Sequence, residues 1–393
     1  MKKIKVLDAF AGAGGFSLGF EMAGYEVAGA IETDAWATET FSFNHPDAIV
    51  IKSNVEELSD EEISNTFGKE NIDVILGGPP CQGFSICNKN NGDSKDPRNS
   101  LFEEFLRLGK ILSPKLMIME NVPNLVKAKT NSKEYVLDII KEELSNLGYH
   151  VYSDVLEAVN YGVPQIRKRL FVIASKTELC SPFPDATHAT SGGNDLFSDN
   201  LEVTPSLWDA ISDLPDIEAR EGSEVMEYTS KPKNQLQKSL RNNSKKLYNH
   251  LSMKHSARMV ERFKSMKSGQ SVSDVPDHLK PYKRNSKSIS DKVYDQNNRR
   301  MHADRPCHTI PASFYANFVH PFKHRNFTAR EGARLQTFPD TYVFKGKPTV
   351  VSHKLLAREG RFDEKYLCQY NQIGNAVPPL LAKAIAENIF DQI

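Results

Sequence analysis

KIKVLDAFAGAGGFSLGF, residues 3–20, opens on a short apolar run that ends at Asp8, and Gly12, Gly14 and Gly15 follow at once. Glycines there let the backbone approach a ligand and turn sharply onto a helix N-terminus, so the stretch reads as strand, tight turn and helix. At the end of a second apolar run, 25–31, stands Glu32, placed to accept hydrogen bonds from a ribose. The glycine spacing is not the dinucleotide Gly-x-Gly-x-x-Gly, so adenosine without a pyrophosphate, as in S-adenosylmethionine, is the better ligand. A plain strand-to-helix turn with a solvated glutamate is the competing reading. The lysines before the run resemble a secretion signal, but the run is short and broken by Asp8 and the glycines, so a first β-strand is expected.

Working outward, further apolar runs at 48–51, 72–76, 115–119, 149–156 and 168–174 alternate with amphipathic stretches, the clearest at 99–112 and 132–147. This alternation predicts an α/β fold, a doubly wound, mostly parallel sheet with ligands at the carboxyl ends of its strands. From about 176 to 300 the pattern dissolves into Ser, Asn, Lys, Pro and Gly, which marks a domain boundary. Order returns near 305 and ends in a helix at 378–392. The expected division is a catalytic and cofactor-binding domain at 1–180, a smaller irregular domain at 181–325, and a C-terminal segment, 326–393, returning to the first.

The 393 residues hold five cysteines without CxxC spacing, which argues against a disulfide framework or a zinc site and fits a reducing cytoplasm. No stretch is apolar enough to span a membrane. The formal net charge is zero, yet residues 231–300 carry 18 Lys and Arg against 5 Asp and Glu, a surplus of 18 − 5 = +13. A surplus so concentrated suits a phosphate-binding face, and a solvated lysine-rich insertion accounts for it equally well.

GGPPCQGFS, residues 77–85, follows the fourth strand. A free cysteine is more often a small buried hydrophobe than a nucleophile, but Cys81 leaves a strand end between prolines and a glycine, where side chains reach a ligand crevice. The polar stretch from Ser85 to Asn99 could close over a substrate as a lid. ProProCysGln in this place resembles the catalytic loop of the DNA (cytosine-5)-methyltransferases, whose other motifs then follow in order. DAFAGAGGFS resembles the cofactor loop, and Glu120-Asn121-Val122 the Glu-Asn-Val motif. Gln165, Arg167 and Arg169 match Gln-x-Arg-x-Arg. Thr309-Ile310 is similar to the pair near the end of the target-recognition region, and AREGARLQTFPD (329–340) and QIGNAVPP (372–379) resemble the two closing motifs.

The resemblance implies the S-adenosylmethionine-dependent methyltransferase fold with a target-recognition domain, and a catalytic set of Cys81, Glu120, Arg167 and Arg169. Cofactor contacts are implied for Phe10, Ala11, Gly12, Gly14, Gly15, Phe16, Glu32, Thr33, Asn54, Val55, Pro80, Leu101, Asn375 and Val377. Where the family has an acidic residue near the adenine this chain has Asn54, whose amide oxygen can still accept from the exocyclic amine. DNA contacts are expected from Gln82, Ser85, Gln165, Lys245, Lys246, Arg299, Arg300, Thr309 and Ile310. Near LYNHLSMKHSARMVERF, His250, His255 and Arg258 read as a helix presenting polar groups, with core or solvent roles equally open. The segment 345–366 is longer than the family's pattern.

The chemistry explains these residue types. A thiolate adding to cytosine carbon-6 breaks the aromaticity and makes carbon-5 enamine-like, splitting one hard step into easier ones. Glu120 in its protonated form donates to the ring nitrogen and accepts from the amine, a pattern thymine reverses, and burial near an apolar strand end is expected to supply that form. Without Cys81, a helix-cap or ion-pair role would be the better reading of Glu120. Both ring carbons lie inside a stacked duplex, so the base must be extruded. The expected partner is double-stranded DNA, with a separately acting restriction endonuclease as companion and the chain itself a monomer. An RNA cytosine-5 methyltransferase and a non-catalytic DNA-binding paralogue are the rivals. The long basic segment speaks against the first and the intact Cys81, Glu120 and glycine loop against the second.

Overall fold

The computed structural model describes residues 3–79, 100–130, 133–190, 201–283, 288–290, 295, 297–349, 356, 358–361 and 366–393. Its contacts divide the chain into two compact units, one of residues 1–162, 167–202 and 376–393, the other of 163–166 and 203–375. Only the last eighteen residues or so return to the first unit, counting 376–393; residues 326–375, expected to go with them, cluster with the second.

The first unit is built on a seven-stranded sheet: β1 (Lys5–Ala9), β2 (Glu26–Glu32), β3 (Ile49–Lys52), β4 (Val74–Gly77), β5 (Leu116–Asn121), β6 (His150–Glu157) and β7 (Lys168–Ser175), in the order β3-β2-β1-β4-β5-β7-β6. The first five pair in parallel and β7 runs antiparallel between β5 and β6. Strands β1, β4 and β5 are buried on both faces, and their continuous apolar runs are what a helix-covered parallel sheet requires. Among the described residues, the layers are completed by α1 (Gly15–Met22), α2 (Ala35–Asn44), α3 (Asp60–Phe67), α4 (Ser100–Leu112) and α5 (Val136–Asn146), with a further helix at the C-terminus. Every strand and helix expected in this half is present, with no end shifted by more than four residues.

Two devices position the ligand edge. Strand order reverses between β1 and β4, so the loops after those strands diverge and leave a crevice at their carboxyl ends. Glycine then brings the C-terminal helix (Pro379–Ile389) onto α1. A Cβ on Gly19 would stand 2.3 Å from the Ala382 Cβ and 2.6 Å from the Pro379 carbonyl oxygen. The end of QIGNAVPP is thereby fixed beside the helix that the glycine loop opens.

The second unit has short elements: α6 (Leu207–Ile211), α7 (Gln235–Arg241), α8 (Ala257–Lys264), α9 (Phe314–Asn317), α10 (Ala329–Leu335) and α11 (Gln369–Asn375), with a hairpin of β8 (Gly222–Met226) and β9 (Leu247–Leu251). Small apolar clusters such as Phe263, Met266, Val272, Val275, Leu279 and Val319 are supplemented by buried charge. The Arg334 guanidinium pairs with Asp213 at 2.5 Å and Asp340 at 2.6 Å, all three fully buried. Arg325 grips Glu331 through two bonds of 2.8 Å. Burial pushes the Glu331 carboxyl up, but Arg325 overrides it and holds the group well below the usual carboxylate range. Because α10 carries Glu331, Arg330 and Arg334, it is tied to 203–340 by pairs that cannot be broken singly without stranding a buried charge. That is why 326–375 belongs to this unit.

Three buried histidines in the same unit accept hydrogen bonds and are therefore held neutral. His250 lies between the Thr328 hydroxyl at 2.9 Å and the Pro215 carbonyl at 3.0 Å, His255 Nε2 accepts from the Asn326 N–H, and His320 Nδ1 accepts from Phe322 and Lys323 N–H groups. Burial pushes them down to about 4, about 4 and about 3, with Arg325 lowering all three and Glu331 opposing at His250 and His320. The unfolded chain binds these protons near pH 6.5 and the folded chain does not, so unfolding gains protons as pH falls. The thermal midpoint is expected to drop steadily from pH 7 to pH 4.5, and replacing His250 and His255 by residues that do not titrate should flatten that slope. A midpoint flat across this range in the wild type would contradict the neutral assignment.

Candidate active site

The glycine loop is wound tightly. Phe10, Gly12 and Gly14 all have positive φ, at 60°, 54° and 81°, and for a bulky residue such as Phe10 that conformation is strained. Among the described residues, nothing lies within 4 Å of where a Gly12 Cβ would stand. Glu32, at the end of β2, accepts the Gly12 N–H at 2.7 Å with one oxygen and the Asp34 N–H at 2.8 Å with the other. The residue expected to meet a ribose thus also fastens the loop, and a carboxylate's four lone-pair sites leave room for both duties. Burial raises its pKa against those two N–H bonds. Beneath the loop, Ser17 Oγ donates to Asp8 at 2.6 Å, and burial, partly offset by that bond, pushes the Asp8 carboxyl up to about 7. This brace is absent from the sequence-based expectations; its only signal is a carboxylate near a strand end with a hydroxyl in the first turn of the next helix.

The other expected cofactor residues divide. Gly15, Ala11, Val55 and Val377 are buried, Phe10 and Leu101 half-buried, Thr33 and Asn375 exposed. Phe16 is buried, its ring edge-on to Phe20 at 5.7 Å and Phe171 at 6.0 Å. Asn54 caps a 3-10 turn, its oxygen accepting the Glu56 N–H at 3.4 Å and its amide donating to the Glu56 carboxylate at 2.8 Å. The amide expected near the adenine is committed locally in this geometry.

At the ends of β4 and β5 the chemistry converges. Asn121, buried, donates to the Pro79 carbonyl oxygen at 3.0 Å, and a Cβ on Gly78 would stand 3.4 Å from Glu120 Oε2. The chain entering ProProCysGln therefore passes over the Glu120 carboxylate; Pro80, Cys81, Gln82 and Ser85 lie outside the described residues. Because β7 pairs antiparallel with β5, its first residues meet the last of β5, and Arg169 Nε reaches Glu120 Oε1 at 2.7 Å.

Arg167, two residues back on the same face, is buried and donates to the Ala376 carbonyl oxygen at 3.1 Å. Burial first, then the neighbouring Arg169, pushes its pKa well below the usual arginine range, with Glu120 opposing. In this geometry it holds the start of the returning C-terminal segment.

Several expected DNA-contacting residues are placed otherwise. Gln165 is fully buried, bonded to the Ile310 N–H and to Gln336. Ile310 is buried too, while Thr309 is exposed with its hydroxyl on the Ile166 carbonyl at 2.6 Å. Arg300 cannot read bases here: its guanidinium is buried and donates to the carbonyl oxygens of Phe263, Met266, His320, Pro321 and Lys323. The three expected on one helix are divided: His250 lies in β9 and His255 in the turn before α8, both buried, while Arg258 on α8 stacks on Tyr282 at 4.0 Å and binds two carbonyls. Lys245 and Lys246 are exposed on the turn before β9, and Arg299 is half-buried.

Among the described residues no helix is long and apolar enough to cross a membrane. A family model described as C-5 cytosine-specific DNA methylase matches residues 4–391. The type II methyltransferase M.DdeI of Desulfomicrobium norvegicum is 49% identical over 98% of this chain and 88% of its own length. M1.HphI of Haemophilus parahaemolyticus, also a type II methyltransferase, is 34% identical over 98% and 86%. A solved prophage-encoded DNA modification methyltransferase of E. coli superposes with a TM-score of 0.72 at 25% identity, covering 99% of both chains. With the sheet order, the glycine turn and the Glu120–Arg169 edge arranged as such chemistry needs, the chain belongs to the C-5 cytosine-specific DNA methylase family and is a DNA (cytosine-5)-methyltransferase.

Proposed function

We propose that this enzyme extrudes one cytosine from a short target sequence in duplex DNA and methylates its carbon-5 through a covalent bond from Cys81, within a type II restriction–modification system. The observation that carries the reading is the meeting at one sheet edge of Glu120, Arg169 and the chain entering the Cys81 loop. A restriction endonuclease acting separately is the expected companion, and a cytoplasmic monomer the expected state.

S-adenosylmethionine, when bound, supplies an electrophilic methyl group. The residues fit it: no described residue crowds Gly12, Glu32 keeps lone pairs free, and Asp8 with Ser17 braces the turn from beneath. The Cys81 thiolate adds to carbon-6, and the electron pair released from the 5,6 double bond is held as Glu120 bonds the ring nitrogen and the exocyclic amine. Arg169 orients the Glu120 carboxyl from its other oxygen. Carbon-5 takes the methyl group as its bond to the sulfonium sulfur breaks and leaves a neutral thioether; a proton then passes from carbon-5 to water, and the pair it leaves behind reforms the double bond and expels the thiolate. The basic segment supplies the backbone grip through its lysines, since several of its arginines are spent internally.

Cys81→Ser is expected to abolish turnover while leaving S-adenosylmethionine binding nearly intact. A duplex carrying 5-fluorocytosine at the target should trap the wild type as a denaturation-resistant adduct, because fluorine cannot leave carbon-5 as a proton does. Adduct formation by Cys81→Ser would sink the mechanism.

Glu120→Gln keeps size and a donor but cannot give a proton to the ring nitrogen, and a single-turnover loss of roughly two to four powers of ten is expected. An unchanged rate would reduce Glu120 to a partner of Arg169.

Neutralising Lys245 and Lys246 together should weaken binding to target and scrambled duplexes alike and flatten the log–log salt slope by about one unit for each phosphate no longer neutralised. If affinity and slope stay unchanged when Lys254 and Lys264 are neutralised along with these two, the DNA face lies elsewhere.

A further inference from the structure

A groove of about 650 Å³ opens beside α8 in the second unit, with Ala219, Ala257 and Val260 as its apolar lining. His255 lines it too and is only 4% exposed. Its Nε2 accepts the Asn326 N–H at 3.2 Å, so this neutral ring carries its proton on Nδ1. That Nδ1–H has no hydrogen-bond partner among the described residues and is not sealed from solvent. A largely buried donor left unpaired is costly, so the groove favours an acceptor there.

Two further sets of donors adjoin it. Arg220 has its backbone in the left-handed region, at φ 73°, which is strained for a long side chain. The strained turn is held by the Arg220 N–H on the Met253 carbonyl at 3.2 Å and by Nε on the His255 carbonyl at 3.0 Å. The exposed guanidinium also lines the groove, and its two terminal nitrogens are free of partners among the described residues. At the start of α8 the Ser256 hydroxyl caps the Met259 N–H at 3.3 Å. The Ala257 and Arg258 N–H groups of that first turn have no backbone partner among the described residues, and they form the positive end of the helix dipole. A guanidinium fork, a ring N–H and a helix start beside one another suit an anion with oxygens at several bearings, which is a phosphate. The apolar lining suits the deoxyribose edges that flank a backbone phosphate, and an open groove lets a polymer pass.

We infer that Arg220, the His255 Nδ1–H and the first turn of α8 form a phosphate site that takes a backbone phosphodiester of duplex DNA. Lys264, which lines the groove about 10 Å further along the helix axis, offers a second cation to the same strand. Glu261, also on the groove, opposes the anion and limits how tightly it is held. Arg220 lies outside the lysine-rich segment, so this site is separate from the grip proposed for Lys245 and Lys246. It rests on the proposed function only in taking duplex DNA as the partner.

The test measures the Kd of the full chain for sheared DNA from a methylation-deficient host and for poly(dA)·poly(dT), each at several salt concentrations. Arg220→Gln is expected to weaken both duplexes roughly tenfold, the loss of one hydrogen-bonded charge contact. It should also flatten the log–log salt slope by about one unit. Arg220→Lys keeps the charge but not the fork, so it should lose most of the same affinity. Glu261→Gln changes an exposed side chain and should act with the opposite sign, tightening both duplexes about two- to fivefold; it serves if the arginine variants prove less stable by thermal midpoint. Full affinity in Arg220→Lys beside a loss in Arg220→Gln means diffuse charge and overturns the site. Inorganic phosphate or dAMP bound by the wild type and not by Arg220→Gln, with duplex affinity equal in the two, overturns the backbone assignment in favour of a free phosphate. Arg220→Gln and Glu261→Gln both binding duplex as the wild type does overturns the site altogether and spares the lysine grip, which Lys245 and Lys246 test separately.

Discussion

The antiparallel insertion of β7 between β5 and β6 is the constraint on which the site depends. In a sheet of parallel strands only carboxyl ends meet at the ligand edge, and each delivers one loop. Reversing β7 brings an amino end to the same edge, directly opposite the end of β5 in the register Asn121↔Leu170. Side chains alternate along an extended chain, so Gln165, Arg167 and Arg169 share one face at steps of two. Arg169 meets the Glu120 carboxylate, Arg167 takes the Ala376 carbonyl, and Gln165 takes the Ile310 N–H. One strand end and its lead-in thus address the Glu120 carboxylate, the start of the returning C-terminal segment, and the backbone at Ile310. A slip of one residue would turn all three away together.

Charge is used differently in the two units. In the first, among the described residues, the buried charges are the Asp8 and Glu32 carboxylates at the glycine turn and the Arg167 guanidinium. In the second, arginines do the work that a larger apolar core would do elsewhere, each binding several carbonyl oxygens or a buried acid. A guanidinium suits this because its five donors form a rigid fork, so one side chain can satisfy many otherwise orphaned carbonyls of irregular chain. Arg300 binds five such oxygens, and Arg330 binds those of Tyr248, Pro339 and Tyr342. The cost of desolvating these cations is offset only while every partner stays in place, which makes the unit intolerant of single changes along α10.

That usage also marks where the sequence was legible. The strands and helices of the first unit could be read because apolar period and glycine punctuation are local signals, and Glu32, Glu120 and Arg169 could be read because strand ends fix their edge. The irregular unit offered composition alone. Its surplus of +13 over 231–300 counted every Lys and Arg as surface charge, yet Arg241 is paired to Asp213, Arg262 is buried on the Leu279 carbonyl, and Arg300 is enclosed. Among the described residues, the cations of the segment that remain exposed are lysines: Lys231, Lys233, Lys238, Lys245, Lys246, Lys254, Lys264, Lys267 and Lys283. No sequence pattern separates a structural arginine from a reading one, because the difference lies in distant carbonyls that only the fold supplies. Gln165 escaped for the same reason, its partners being at 310 and 336.

The glycine turn shows what the strain at Phe10 accomplishes. A loop that must surround a nucleoside closely has few stable forms of its own, and three positive-φ residues within five positions would be unstable in isolation. The form persists because the Gly12 N–H is held by Glu32, the helix beneath by Asp8 through Ser17, and the far side of α1 by the Gly19 contact with the C-terminal helix. Each hold is made before any ligand arrives, so the ordering entropy of the loop is borne by folding and not by binding. Strain in the turn and burial of two carboxylates are therefore two sides of one arrangement, since the acids that are costly to bury are the groups that keep the strained turn in place. Relieving either would return its cost to the binding step.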